Sequence, residues 1–482
     1  MCTGWFSLKI DCSGQTALCA AVWRKFEPFH RNVQFRQKRV ELSCEAMTTE
    51  EQSDKDQSDA TWRQMVSPAD DGSSPCTPHQ GDAGTSAGVN VEPGSEDDGW
   101  IVPPPVSLED GSTVQLYKDG EALHAAMNAI REAKHRVCLE SYIFADDDTG
   151  HSFADLLCQK AKSGVKVYVI FDSFGSFTPA VLWRKKPEMF DRMRRAGVRV
   201  QEFHPFRPWE GGHSWRPLNR DHRKLLVCDD NVAGLGGLNV GQEYAGSWVI
   251  KSKTKCDPWR DNAIGIRGPA ARQLLFAFAR AWNYCVHGGR IGRAEYRSNL
   301  REGAFGVLAS VPTTHSPLRP FLKDLLGNAK HSIDMTMAYF APDDDLVNAL
   351  LRAANRGARV RLMLPSRSDV HALLIAARSF YERLMDAGVE IYERQSVILH
   401  AKTMTVDGRT SVIGSTNLDS RSIEFNLELS AIVRNAEFAE QMKELFENDV
   451  RYAIKIDPEQ WRSRPWHDRA VQWAVSRARY LL

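Results

Sequence analysis

From about Val114 onward, apolar and polar positions fall into short, regular periods that occur twice along the chain. Val137–Phe144 and Ile333–Phe340 are compact β-rich runs, and each is followed by a segment of helical period, Phe153–Lys162 and Leu346–Asn355. Gly164 and Gly357 come next, where a glycine suits a helix C-cap. Val165–Phe171 and Ala358–Leu364 then alternate as strands, and Leu225–Val227 and Thr403–Val406 predict one more strand in each half. The order strand, helix, strand, helix, strand predicts an α/β fold with a mixed sheet in each of two similar halves.

The likeness between halves is closer than periodicity alone. Ala133-Lys134-His135, Phe144-Ala145 and Asp147-Asp148 recur 196 residues later as Ala329-Lys330-His331, Phe340-Ala341 and Asp343-Asp344. The offset shrinks along the chain, to 178 where His222-x-Lys224 meets His400-x-Lys402, as loop deletions in a duplicated unit would produce. The organisation expected is an extension over 1–99, a first half over 100–310, a second half over 311–455, and a basic amphipathic tail over 456–482. Residues 1–46 show no period and are expected to have no core role. Residues 48–99 are rich in Asp, Glu, Ser, Gly and Pro, cannot bury enough apolar surface to offset their ordering entropy, and are expected to be disordered.

Charge sharpens this division. The formal net charge of +1 hides twelve acids against two bases over residues 50–98, so the rest of the chain stands at +11. A basic body suits phosphate-bearing partners, either nucleic acid or anionic lipid. The ten cysteines show no paired CxxC spacing and no grouping with histidine, so reduced thiols are expected, with neither a disulfide framework nor a metal site. No apolar run reaches the ~18 residues of a transmembrane helix, and the short stretch Thr16–Trp23 makes a poor signal segment.

The candidate chemistry lies in two copies of H-x-K-x4-D, His222-x-Lys224-x4-Asp229 and His400-x-Lys402-x4-Asp407. Each is followed at one fixed distance by a glycine turn ending in asparagine, Gly236-Gly-Leu-Asn239 and Gly414-Ser-Thr-Asn417. On a strand, residues i and i+2 face the same way, so each histidine projects with its lysine. An ammonium can neutralise phosphoryl oxygens while the imidazole beside it attacks phosphorus or protonates a leaving oxygen. Because one histidine cannot be nucleophile and acid in the same step, two copies converging on one phosphorus make chemical sense.

These motifs resemble the paired HKD motifs of the phospholipase D superfamily, over the chain from about Val114 to the C-terminus. The resemblance implies two α/β halves packed with both motifs at their interface, a phosphohistidine intermediate, and no metal or cofactor. By position, His222 would be the nucleophile, His400 the general acid, and Lys224 and Lys402 phosphate ligands. Asn239 and Asn417 match the family's phosphate-binding asparagines, while Asp229 and Asp407 complete the motifs as catalytic residues, a role that a structural turn carboxylate fits equally well. Glu428 matches the acid that orients the partner histidine. The first half has Ile250 at the corresponding place, so support there is expected from Glu243 or Asp261. Leu139-Glu-Ser-Tyr-Ile-Phe144, Trp259-Arg-Asp261 and Gly414-Ser-Thr-Asn-Leu-Asp-Ser-Arg-Ser422 are further similar to bacterial cardiolipin synthases, in particular the subtype without N-terminal transmembrane helices. Asn262 departs from that pattern, where threonine or histidine is expected. The implied reaction moves a phosphatidyl group from one phosphatidylglycerol to another, with hydrolysis or nuclease action as the rival readings.

That resemblance implies anionic phospholipid as partner, no nucleic acid, and a peripheral position on the cytoplasmic face of a bacterial membrane. Two segments could meet the bilayer. Phe203–Trp215 concentrates aromatic, His and Arg residues before the first motif. In the tail, a helix over Trp466–Leu482 would set Trp466, Ala470, Trp473, Ala474 and Leu481 opposite Arg469, Gln472, Ser476 and Arg479.

Overall fold

The computed structural model describes residues 99–477 apart from 177–186, 206–215, 217, 250–258, 289–302 and 311–315. The leading segment 1–46, all but Gly99 of the acidic segment 48–99, most of the aromatic loop Phe203–Trp215 and the last five residues lie outside the described residues.

Two eight-stranded sheets carry the fold. The first contains β1 (Val106–Ser107), β2 (Thr113–Lys118), β3 (Arg136–Ser141), β4 (Lys166–Asp172), β5 (Arg199–Phe203), β6 (Lys224–Cys228), β7 (Val232–Gly236) and β8 (Asn262–Arg267), in the order β1-β2-β8-β7-β6-β3-β4-β5. The second contains β9 (Phe305–Ala309), β10 (Ser332–Met337), β11 (Arg359–Pro365), β12 (Glu390–Arg394), β13 (Lys402–Val406), β14 (Thr410–Gly414), β15 (Leu429–Arg434) and β16 (Ala453–Lys455), in the order β16-β12-β11-β10-β13-β14-β15-β9. Read from opposite ends, the two share one seven-stranded plan, with β1 and β16 as the additions. In each, three strands run parallel through helical crossovers, β3-β4-β5 and β10-β11-β12. The motif strand is antiparallel to the first of these, β6 on β3 and β13 on β10.

The strand Phe305–Ala309 pairs antiparallel with β15 and so belongs to the second sheet. The expected boundary at 310 therefore corrects to a point before Phe305. The error is physical in origin: this strand precedes the first crossover of its half, as β2 does, and its short apolar run carries no motif.

The crossover helices start where the repeat places an aspartate. Asp147 Oδ1 accepts from Gly150 N at 2.8 Å and Asp343 Oδ1 from Leu346 N at 2.9 Å, each capping an N-terminus. The helices accordingly run Asp148–Lys162 and Asp344–Asn355, beginning earlier than their apolar stripes. They share one sheet face with Glu121–Glu132 in the first half and with Leu318–Gly327 in the second. The opposite faces carry Ala271–His287 and Ala436–Val450. The halves meet through β7 and β8 against β14 and β15, within one compact unit. That seam holds the motif ends of both sheets side by side.

The tail forms a helix at Trp466–Arg477 that rests on the helix His371–Arg378. Its buried position is Gln472, while Trp466 and Trp473 stand 79% and 62% exposed. The aromatic stripe therefore faces outward.

Candidate active site

Each histidine sits just ahead of its strand, on a backbone bridge supplied by the other half. His222 N donates to Leu427 O at 2.9 Å and Leu427 N donates to Arg220 O at 2.8 Å. Reciprocally, Arg260 N donates to Ile398 O at 2.9 Å and His400 N to Arg260 O at 2.8 Å. The residue after each bridging position is an acid, Glu428 or Asp261, and each therefore meets the opposite histidine. His222 Nδ1 lies 3.0 Å from Glu428 Oε1, and His400 Nδ1 lies 2.7 Å from Asp261 Oδ2. With Nδ1–H donated to a carboxylate, each imidazole keeps Nε2 for the substrate.

The two acids differ by one methylene, and the glycine turns compensate. In the second half, Ser415 Oγ donates to Glu428. In the first, the matching residue is Gly237, where a Cβ would lie 2.1 Å from Asp261 Oδ1. The shorter aspartate needs that space. Asp261 is in turn anchored through its neighbour Arg260, whose Nε and Nη2 form a bidentate pair with Asp449 at 2.8 Å across the seam. Asn262, the departure from the expected pattern, accepts from the Arg260 guanidinium and belongs to this anchor.

The lysines complete a dense charge cluster. Lys224 Nζ donates to His222 O at 2.6 Å and lies 5.1 Å from the Tyr142 ring centroid. Lys402 Nζ donates to His400 O and lies over Tyr339. Burial pushes the Lys224 ammonium down to about 7, with Glu428 opposing and Lys402 adding repulsion. Lys402 falls to about 8 for the same first reason, opposed by Asp261 and Glu428. Burial also lowers both histidines, His400 well below its ordinary value with Lys402, Lys224 and His222 adding to the effect. Asp261 is raised to about 6 by burial despite Lys402. Glu428 lies below its usual range: burial opposes this, but His222 and Lys224 outweigh it. Burial disfavours the charged forms of both lysines and both histidines, and an anionic phosphodiester placed among them would favour those forms again.

Unpartnered polar atoms point the same way. Asn239 Oδ1 accepts from Ile143 N at 3.0 Å, while its buried Nδ2 faces the Tyr244 hydroxyl without a well-formed hydrogen bond. Asn417 is likewise buried, and as with Asn239 it is the amide N–H2 that could donate to a phosphoryl oxygen.

Two expectations are corrected. Asp229 and Asp407 lie at the far ends of β6 and β13, roughly 16 Å of strand from the lysines. There Asp229 accepts from the N–H groups of Lys134, His135 and Arg136, and Asp407 from those of Lys330, His331 and Ser332. Both adopt positive φ, 50° and 54°, so they are turn residues tying the strand to the preceding loop. Glu243 meets neither histidine, because both Nδ1 atoms are already taken by Glu428 and Asp261. Sequence reasoning also missed the aromatic wall. Tyr244, Trp259 and Tyr339 stand with ring centroids 5.4, 5.2 and 6.3 Å from His400, and Tyr142 stands 4.9 Å from His222. Tyr142 and Trp259 lie in phrases already singled out, but only packing shows which ring they border.

A duplicated α/β fold with two carboxylate-held histidines and two lysines at one seam defines a phosphodiester-transferring enzyme of the phospholipase D type. The model of the family described as cardiolipin synthase, PLD-like domain, matches residues 126–247 and 322–450. The chain is 33% identical over 380 residues to a cardiolipin synthase of Halalkalibacterium halodurans, covering 76% of this chain and 71% of that one. It is 35% identical over 381 residues to a cardiolipin synthase of Geobacillus kaustophilus, covering 77% and 72%. The crystal structure of phosphatidylserine synthase from Haemophilus influenzae shares the fold, with a TM-score of 0.58 at 14% identity over 78% of this chain and 97% of that one. The chain belongs to the cardiolipin synthase family, within the phospholipase D-like enzymes. Among the described residues, no helix is long and apolar enough to cross a membrane.

Proposed function

We propose that this enzyme makes cardiolipin by transferring a phosphatidyl group from one phosphatidylglycerol to the hydroxyl of another. The observation that carries the reading is the pair of reciprocal histidine–carboxylate contacts, which leaves two Nε2 atoms and two lysines for a single phosphodiester. His222 Nε2 attacks phosphorus and an N–P bond forms as the P–O bond to glycerol breaks. Protonated His400 gives its Nε2 proton to the departing glycerol oxygen. The now neutral His400 then takes the proton of the incoming alcohol, whose oxygen displaces His222 from phosphorus. Glu428 and Asp261 stabilise the imidazolium when it forms, and Lys224, Lys402, Asn239 and Asn417 hold the phosphoryl oxygens.

The aromatic wall beside His400 supports transfer over hydrolysis. Tyr244, Trp259 and Tyr339 surround the imidazole that handles the alcohol, and such rings restrict water there. A peripheral membrane position is supported by the helix Trp466–Arg477, whose outward tryptophans are joined by Arg477, 5.3 Å from the Trp473 ring. Val475, on the inward face of that helix, packs against the same cluster as Tyr339, so the helix lies next to the active-site wall with its tryptophans turned outward.

Purified wild-type protein, His222→Ala and His400→Ala on phosphatidylglycerol vesicles provide the test. Cardiolipin and free glycerol are expected from the wild type and neither from the variants. Phosphatidic acid in place of cardiolipin would assign hydrolysis, and activity in both variants would overturn the mechanism.

A further inference from the structure

The first half contains a half-open pocket whose repeat-related surfaces in the second half carry large side chains. A cavity of about 190 Å³ lies between the helix Glu121–Glu132 and the inner face of β2, β8, β7 and β6, and Lys224 forms part of its wall. The duplication shows how this space arises. Four alanines of the helix border it, Ala122, Ala125, Ala126 and Ala129. At the repeat offset of 196 the second half has Leu318, Phe321, Leu322 and Leu325, all packed in or against its core. On the sheet side, Gly234 and Gly265 stand where strand register places Val412 and Ile432. Those two are buried members of the second core. Six large side chains of one half are thus reduced to alanine or glycine in the other, on a single pair of facing surfaces.

At Gly265 the Tyr117 ring, 2.9 Å from where a Cβ would lie, takes up part of the space that Ile432 fills in the other half, but no such contact forces the reduction at Gly234. At Gly236 and Gly414, a Cβ would come within 2.4 and 2.3 Å of a strand carbonyl oxygen, so glycine is required in both halves. At Gly234 the nearest atom to a Cβ would be Ile264 O at 3.6 Å, which is ordinary contact. A valine would fit there, as Val412 does in the other half, yet the space is left open. Apolar cavities of about 150 Å³ take up small hydrocarbons, and this one, at about 190 Å³, has room for a segment of an alkyl chain. Gln115, Tyr117 and Arg267 add polar groups to its wall. Lys224, whose ammonium belongs to the candidate active site, lines it as well.

We propose that this cavity receives one acyl chain of the phosphatidyl group being transferred, which would hold the donor lipid with its phosphorus beside Lys224. The inference rests on the phosphatidyl-transfer reading and deepens it by assigning the donor's chain to the first half alone. Large side chains occupy the repeat-related surfaces of the second half, so the duplicated site would distinguish donor from acceptor.

The test fills the cavity with residues the second half already tolerates, as Ala126→Leu with Gly234→Val, and separately as Ala122→Leu. Binding of cis-parinaric acid, a fluorescent fatty acid, is measured on the full chain, together with transfer from long-chain and from short-chain, water-soluble phosphatidylglycerol. The double variant is expected to bind the fatty acid about tenfold or more weakly, as the loss of about two buried methylenes would produce. It should lose the preference for long chains while keeping wild-type turnover on the short-chain lipid. Unchanged fatty-acid binding and unchanged chain-length preference in both filled proteins, each melting cooperatively, would overturn the proposal and leave the transfer reading intact. Fatty-acid binding that is lost on filling, in a protein that makes no cardiolipin, would keep the chain site and reject that reading.

Discussion

Lys224→Met should make the free enzyme more stable and inactive. Burial lowers the Lys224 ammonium from an ordinary 10.5 to about 7. At about 1.4 kcal/mol per pKa unit, folding with this lysine charged carries a penalty of about 5 kcal/mol. Methionine matches the length of the stem without the charge. It forfeits the hydrogen bond to His222 O, worth about 1 kcal/mol for an uncharged donor, so the net gain is about 3 to 4 kcal/mol near pH 6. The sign follows from proton counting. Below pH 7 both folded and unfolded chains hold the proton and the full penalty stands. Between pH 7 and 10.5 the unfolded chain keeps a proton that the folded one has released, so wild-type stability rises with pH toward that of the variant. Scanning calorimetry of both proteins at pH 6, 8 and 10 reads this out, with the gap in melting temperature shrinking stepwise. A phosphate-analogue oxyanion such as vanadate should raise the melting temperature of the wild type more than that of the variant, because the anion restores the lysine charge. If Lys224→Met melts below the wild type at pH 6, or if the gap does not change with pH, the account of a buried ammonium that burdens the fold is refuted.

Other substitutions separate the parts of the site. Glu428→Gln and Asp261→Asn should each lower transfer on the order of 10³-fold with the fold intact, since each removes the carboxylate that fixes one imidazole; single-turnover rates and circular dichroism check this. Gly237→Ala should act like Asp261→Asn in the same assay, because its Cβ would occupy the position of Asp261 Oδ1. Asp229→Ala and Asp407→Ala should leave turnover per folded molecule near wild type while lowering stability by about 1 to 2 kcal/mol in urea titrations. Burial would raise both carboxyls, but the N–H groups they accept from hold them below the ordinary value. Their contribution is therefore present above the ordinary aspartate pKa and lost as pH falls through the lowered one. Trp466→Ala with Trp473→Ala should weaken binding to phosphatidylglycerol vesicles in a sedimentation assay without changing turnover on short-chain lipid.

Much of this molecule was legible because duplication prints its plan twice. The strands around His222 and His400, the crossover helices and their capping aspartates all fall where the repeat puts them. Boundaries were less legible: the strand Phe305–Ala309 is a short apolar run whose sheet is fixed only by pairing with β15. The role of Asp229 and Asp407 misled for a related reason. A fixed spacing within a motif reads as chemistry, but a strand five residues long carries its two ends well apart, and the aspartate serves the turn.

Sequence by itself determined the local and repeated properties: two α/β halves, two histidine–lysine pairs, and the glycine turns that follow them. Tertiary structure decided between Asp261 and Glu243 as the carboxylate that meets His400. Glu428 and Asp261 lie far along the chain from His222 and His400, and the bridges that align them run between halves. It also decided that a run of alanines facing two glycines encloses a cavity, because an absent side chain leaves space only when the opposite surface is equally reduced. Periodicity reports which way a residue points, whereas only packing reports what stands across from it.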